Sequence, residues 1–181
     1  MRRDHAARRC ALGGVFGALA LVVLLMGSIF PAATFVAPAV AGLVIVPVAV
    51  ECGVRLGAAV YAAVAVLALF LVPDKEATLF FLFLLGHYPL LKVFLEKVRN
   101  KVLRLVLKLA VFNASVCAVY GILLILFPVD AIVAEFADAG KLFIALLIAA
   151  GNVTFLIYDM AVKRLVCYYC AALRPRLFRQ R

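Results

Sequence analysis

The sequence predicts an all-α integral membrane protein, a bundle of six transmembrane helices with both termini on the cytoplasmic side. Composition is the first reason: 69% of the 181 residues are hydrophobic, and the mean hydropathy is +1.19. Soluble domains are about 45–50% apolar, so a soluble core of this size has no room for so much apolar surface. We therefore expect a multi-pass protein of the plasma membrane.

The second observation is that six uncharged runs divide the chain, the last carrying Asp159 near its end. The first, fifth and sixth runs approach the roughly 20 residues that cross about 30 Å of hydrocarbon. The other three are shorter, which favours helices that are central, kinked or extended into their flanks. A four-span protein with a re-entrant pair is the competing topology. The six runs are Cys10–Phe30, Phe35–Val50, Leu56–Val72, Ala77–Leu91, Leu109–Phe127 and Leu142–Val162.

The third observation is the distribution of basic residues. With a cytoplasmic N-terminus, the inner segments hold 17 of the 19 lysines and arginines and the outer segments hold two. The positive-inside rule predicts this asymmetry for six spans. The inner segments are 1–9, 51–55, 92–108 and 163–181, and the outer ones are 31–34, 73–76 and 128–141.

The same counts divide the chain into a basic N-terminus, residues 1–9, a membrane domain, 10–162, and a basic C-terminal tail, 163–181. In a membrane protein a net charge of +10 indicates contact with anionic lipid at the inner face. We expect no nucleic-acid partner.

The segment 92–108 reads "KVFLEKVRNKVLRLVLK". Lys97, Lys101, Arg104 and Lys108 follow at spacings of four, three and four, which places them on one face of a helix. This pattern predicts a basic amphipathic inner helix between spans four and five. The alternative is a solvated basic extension that only fixes the topology.

Three consecutive charges, Asp74, Lys75 and Glu76, follow Pro73 at an outer turn. They form either a self-neutralising solvated turn or the rim of an outward-facing ligand pocket. His87 lies near the inner end of the fourth span, about 15 Å away at 1.5 Å per residue, so it belongs to a different place. It is either a packing residue beside the Pro89 kink or a proton relay.

Catalytic signatures are missing from the sequence. There is no His-Glu-x-x-His, Gly-x-Ser-x-Gly or Walker motif, and the chain has only two serines and two histidines. Cys167-Tyr-Tyr-Cys170 has the spacing of a metal or redox pair but no matching second pair, which favours incidental cysteines in an interfacial tyrosine belt. We therefore expect that the protein is not an enzyme and that it binds neither a metal ion nor a cofactor.

The first span opens with "CALGGVFGALAL", in which Gly13 with Gly17 and Gly14 with Ala18 form two small-x-x-x-small pairs. Such pairs remove side-chain bulk and let another helix approach closely. That helix belongs either to this chain or to a partner.

With six spans, an arginine-rich start and "RRCALGGVFGALALVVLLMG", the chain resembles the substrate-binding S components of energy-coupling factor transporters over roughly Arg8–Val162. The resemblance implies capture of a vitamin, metal or other micronutrient on the outer side, and pairing with a T subunit and two ATPases. It also implies that the small residues of the first span contact the T subunit, although this chain has glycines where the family has alanines. These residues are Gly13, Gly14, Gly17 and Ala18.

For such a binding protein, polar groups of the outer half and the middle of the membrane are expected to converge, because polar groups within a span are costly and mark function. Asn152 and Tyr120 would form the pocket floor, with phenylalanine walls. The alternative for Asn152 is a hydrogen bond to a neighbouring helix. The predicted ligand-binding residues are Thr34, Asp74, Lys75, Glu76, Thr78, Tyr120 and Asn152.

Two other functions remain open. One is a membrane scaffold or interaction protein of the cell envelope, which would use the same glycines and the basic helix for partners. The other is a lipid-handling protein that uses Asp159, Lys163 and Arg164 at the inner headgroup level.

The predicted topology is tested by cysteine labelling of intact cells. In a chain freed of its five cysteines, a cysteine replacing Asn100 should resist a membrane-impermeant thiol reagent, and one replacing Pro73 should react. Labelling of position 100 from outside would overturn the orientation.

Overall fold

The computed structural model describes residues 2–30, 33–126 and 141–173, and these form helices and turns without a strand. A π-helical segment, Phe81–Leu85, joins α4 to α5, and a second, Tyr169–Leu173, extends α7. The helices are α1 Arg2–Gly27, α2 Val36–Cys52, α3 Val54–Leu71, α4 Lys75–Phe80, α5 Tyr88–Leu95, α6 Lys101–Leu126 and α7 Lys141–Tyr168.

Where the structure describes them, all six predicted apolar runs lie mainly on helices, which confirms the helical membrane class. Five stretches are long and apolar enough to cross a membrane, whereas α2 has 17 residues and is shorter than the others. The fourth run corresponds to the whole stretch Lys75–Leu95, in which α4, the π-helical segment and α5 follow one another. We call this stretch the central span, because it is the most buried of the five.

The helices extend beyond the predicted boundaries of the membrane domain. α1 begins at Arg2, within the predicted basic N-terminus, and α7 continues to Tyr168, past the predicted boundary at residue 162. The predicted outer segment 128–141 lies, apart from Lys141, outside the described residues, as does the tail beyond 173.

The prediction of a basic amphipathic helix over residues 92–108 is wrong. Its first residues end α5 at Leu95, residues 96–100 form a turn, and α6 begins at Lys101. Lys97 and Lys101 are exposed, but Lys108 is buried, so the basic side chains do not share one solvated face. The helical spacing was real within each half, but a helix end between the halves breaks the common face.

Two apolar cores meet at the central span. Phe81 packs in a core with Leu24 of α1, Ile45 of α2 and Val64 of α3. Its neighbours Phe80, Leu84 and Tyr88 instead pack in a core with α6 and α7. The central span therefore connects a three-helix half of the protein to a two-helix half.

The irregular middle of the central span frees backbone carbonyl groups. Pro89 has no N–H to donate to the Leu85 carbonyl four residues earlier, and the Tyr158 hydroxyl of α7 donates to that oxygen instead at 2.9 Å. The Gly86 amide donates to the Phe81 carbonyl, five residues earlier, at 2.9 Å, as in a π-helix. The Leu82 carbonyl instead accepts a hydrogen bond from the Tyr61 hydroxyl of α3. Two tyrosines from the two halves thus satisfy acceptors that a membrane would leave unpaired at high cost.

A close backbone approach accompanies these bonds. Gly42 of α2 is buried against the Leu85 carbonyl, and a Cβ atom at this position would overlap that oxygen and lie 3.0 Å from the Tyr158 hydroxyl. The absence of a side chain at Gly42 lets α2 pack directly on the π-helical segment.

Replacing Gly42 with alanine should therefore destabilise the protein by about 1–3 kcal/mol, because the new methyl group meets backbone rather than a movable side chain. Gly14→Ala is the matched control, since a Cβ there has no atom within 4 Å and alanine favours a helix. Thermal unfolding in detergent, followed by circular dichroism, checks both variants. Equal melting temperatures for the two would contradict the close approach.

Candidate functional site

Asp74 caps the central span and ties it to the chain before α2. Its Oδ1 accepts a hydrogen bond from the Ala77 amide at 3.0 Å, as an N-cap residue does. Its Oδ2 accepts from the Thr34 hydroxyl at 3.0 Å, and its main-chain oxygen accepts from the Thr78 hydroxyl at 2.8 Å. Three predicted ligand-binding residues, Thr34, Asp74 and Thr78, thus lie together and hydrogen bond to one another.

Lys75 has a different role from its acidic neighbours. Its ammonium group donates to the carbonyl oxygens of Leu69 at 2.9 Å and Val72 at 3.0 Å. It satisfies carbonyl groups at the C-terminal end of α3, where a cation is favourable. The side chain is directed at that backbone rather than at the neighbouring carboxylates.

Glu76 meets Tyr120 across the bundle. The Tyr120 hydroxyl lies 3.4 Å from Glu76 Oε1, and the Phe80 ring contacts the rings of both Phe35 (5.0 Å between centroids) and Tyr120 (5.9 Å). We call Thr34, Asp74, Glu76 and Tyr120 the acidic end. It unites residues from three parts of the chain beside an aromatic surface.

Asn152 does not join the acidic end. It pairs with Asn113, whose amide donates to Asn152 Oδ1 at 2.9 Å, and each amide group also donates to a carbonyl one turn earlier on its own helix. This is the helix-to-helix bond that was the alternative to a pocket floor. Along α6, Asn113 lies about 10 Å from Tyr120 at 1.5 Å per residue, so the two predicted floor residues are separated.

The small residues of α1 divide into two pairs. Gly13 and Gly17 are buried against α3, where added Cβ atoms would lie 3.1 and 3.2 Å from Val60. Gly14 and Ala18 are exposed. The first pair therefore packs within the chain, and only the second is available to another protein or to lipid.

A group of charged residues lies at the opposite end of the central span. Asp159 of α7 is the centre: its Oδ1 accepts hydrogen bonds from the Tyr88 hydroxyl at 2.6 Å and from Lys92 of α5. Its Oδ2 accepts from Lys108 of α6 at 2.7 Å. Glu96 Oε1 lies 3.6 Å from the Lys92 ammonium and 3.9 Å from that of Lys108. We call these five residues the ion cluster.

The ion cluster is neutral overall and mostly buried. Lys92 and Lys108 are 5% and 6% exposed, and the side chain of Asp159 is 16% exposed. Two ammonium groups next to one carboxylate leave a net positive charge, which Glu96 balances from a position 42% exposed. Each oxygen of Asp159 accepts a hydrogen bond from one lysine, and Oδ1 also accepts one from the Tyr88 hydroxyl. The buried charges therefore have the hydrogen bonds that their burial requires.

The sequence held a partial signal for this cluster. Asp159 stands out as a carboxylate within an apolar run, and such a group needs a counter-charge. Tyr88, Lys92 and Glu96 recur every fourth residue, which puts them on one face of α5 and its C-cap. The choice of Lys92 and Lys108 among many basic residues depends on how three helices pack, which spacing along one helix does not reveal.

The other candidate groups lie apart. The His87 ring is 6.1 Å from that of Tyr61, in the kinked part of the central span. All five cysteines are free thiols. In the described part of the chain, no three His, Cys, Asp or Glu side chains are grouped to hold a metal ion.

Comparison with known proteins gives no match: no protein family, no curated protein and no solved structure is significantly similar to this chain. The resemblance to S components therefore stays a prediction, and the two ends of the central span are the candidate functional sites.

Replacing Asp159 with asparagine should reduce the free energy of unfolding by about 3–5 kcal/mol, because it leaves two buried ammonium groups without their central counter-charge. Glu96→Gln makes the same charge change at an exposed position and should cost less than about 1 kcal/mol. Chemical unfolding in mixed micelles measures both. Similar losses in the two variants would show that Asp159 does not organise the cluster.

Proposed function

We propose that this chain is a substrate-binding S component of an energy-coupling factor type importer. In this proposal six helices cross the plasma membrane, α2 included, with both termini cytoplasmic. The acidic end faces outward and captures a small solute. The ion cluster lies at the cytoplasmic end, near anionic lipid.

The supporting observation is the convergence at the acidic end. Thr34, Glu76 and Tyr120 come from segments separated by more than 40 residues each, yet they meet beside Asp74 and the Phe80 ring. Carboxylate and hydroxyl groups next to aromatic rings are the mixed polar and apolar surroundings in which small ligands bind.

The distribution of basic residues supports the orientation. The ion cluster and the exposed Lys97, Arg99 and Lys101 lie at the end predicted to be cytoplasmic. The acidic end has Lys75, whose charge is directed to the backbone of α3. The positive-inside rule accounts for this asymmetry if the acidic end is outside.

We propose that α1 contacts the T subunit of the importer and its ATPases, but through fewer residues than the sequence predicts. Because Gly13 and Gly17 pack on α3, the docking surface comprises Gly14 and Ala18 with the exposed Val15 and Leu19 on the same side. Small residues there allow a partner helix to approach.

A second candidate is a membrane scaffold without a solute. The observation that favours it is the Asn113–Asn152 pair, which uses the polar group predicted for the pocket floor to hold α6 to α7. A scaffold needs such helix contacts and exposed surfaces but no ligand.

Tyr120→Phe and Glu76→Gln test the proposal. Both preserve shape and leave the Asp74 cap intact, and each should weaken binding of the co-purifying small molecule about 10-fold or more, as loss of a hydrogen bond to a charged group does. Mass spectrometry of solute extracted from purified protein gives the amount bound.

Tyr168→Phe is the control, because it removes the hydroxyl of an exposed tyrosine at the C-terminal end of α7, away from the acidic end. It should retain the solute. Equal solute content in all variants, or none in the wild-type protein purified from its native membrane, would favour the scaffold.

A further inference from the structure

Glu96 holds a position between two buried ammonium groups without hydrogen bonding to either. Its Oε1 is 3.6 Å from Lys92 Nζ and 3.9 Å from Lys108 Nζ, both longer than a hydrogen bond. Its side chain is 42% exposed, while both lysines are more than 90% buried. Glu96 is thus a half-exposed counter-ion that lies beside two buried lysines without a hydrogen bond to either.

The lysine pair itself is fixed by other contacts. Lys92 and Lys108 each donate to a different oxygen of Asp159, so their positions do not depend on Glu96. Asp159 offsets one of their two charges. The remaining positive charge is directed toward the point that the exposed carboxylate occupies.

We propose that this point is a binding site for the phosphate of an anionic lipid headgroup, and that Glu96 is a displaceable counter-ion that occupies it when no lipid is bound. A phosphodiester carries one negative charge shared by two non-bridging oxygens, and it can face both ammonium groups as the carboxylate does. Exposed ion pairs contribute little to stability, so moving Glu96 aside toward water costs little.

The surroundings favour a lipid over a free anion. The exposed apolar side chains of Val93 and Phe94 precede Glu96 on α5, and Val102 and Leu103 follow it on α6. Lys97 lies over the Phe94 ring at 5.2 Å. A basic group between helices, at the end of the spans and next to exposed apolar surface, is the setting in which membrane proteins hold acidic headgroups.

The site does not depend on the proposed solute or on transport. The five residues of the ion cluster and their neighbours define it, whatever the acidic end binds. A failure of solute binding therefore leaves this inference untouched, and the reverse also holds.

Glu96→Gln tests the site without threatening the fold. Removing the competing carboxylate should raise the affinity for one phosphatidylglycerol per chain about fivefold, the effect of about one charge near a membrane surface. Native mass spectrometry of detergent-solubilised protein titrated with phosphatidylglycerol, and separately with phosphatidylcholine, measures the first bound lipid. Phosphatidylcholine binding should not change.

Two variants separate a local site from general attraction. Glu76→Gln makes the same charge change about 30 Å away along the central span, and should leave phosphatidylglycerol binding unchanged. Lys97→Gln removes an exposed charge outside the pair, and its effect should be smaller than that of Glu96→Gln. If Glu96→Gln binds no more phosphatidylglycerol than Glu76→Gln does, or gains equally for phosphatidylcholine, the proposal is wrong.

Inorganic phosphate and soluble glycerol phosphate, added at millimolar concentration, distinguish the source of the anion. Lipid bound despite these competitors supports a headgroup site that also uses the acyl chains. Displacement of the lipid by inorganic phosphate alone would overturn the lipid assignment in favour of a free-anion site.

Discussion

One carboxylate, that of Asp159 on α7, joins three helices of this protein, because it accepts hydrogen bonds from residues of α5 and α6. Without it, Lys92 on α5 and Lys108 on α6 would bring two like charges together in surroundings with little water, and the helices that carry them would separate. The Tyr88 hydroxyl also donates a hydrogen bond to the Asp159 carboxylate. The packing of Tyr88 on Phe155, with ring centroids 4.7 Å apart, therefore depends on a charge held at its edge.

The central span contacts other helices at both of its ends. At one end it presents Glu76 to Tyr120, at the other Tyr88 and Lys92 to Asp159, and between them the helix is irregular. The irregular part is held by tyrosine hydroxyls from α3 and α7 rather than by its own amides alone. π-helical segments are frequent at functional sites, and this one lies between the two candidate sites of the protein.

Much of the fold was predictable because the membrane imposes it. Six apolar runs become helices, since a lipid environment leaves the backbone no other way to satisfy its polar groups. The segment 92–108 was predicted wrongly because a continuous basic periodicity does not reveal a helix end that satisfies its own backbone through a turn and the Asn100 cap. Asn100 accepts from the Val102 amide at 3.0 Å, a local signal that the charge pattern obscured.

The candidate site was predictable in part for a similar reason. Thr78 meets Asp74 through local capping, whereas Thr34 reaches Asp74 from 40 residues away along the chain. Glu76 meets Tyr120 because their helices pack against each other. Asn152 was predicted at the pocket floor from its depth in the membrane. Depth alone does not tell to which side of a helix a side chain points. Its partner, Asn113, lies at a similar level on the adjacent helix.

The position of Asp159 on the last described helix has a consequence for how the protein is made. Helices α5 and α6 leave the ribosome before α7, so Lys92 and Lys108 enter the membrane region before Asp159, the carboxylate to which both hydrogen bond, exists. A lysine within a span costs about 2.5–3.5 kcal/mol at the centre of a helix during insertion. The two lysines must therefore remain at the headgroup level, or be shielded by the insertion machinery, until α7 arrives. Synthesis of the last helix thus supplies the carboxylate that the two helices before it need for their buried lysines.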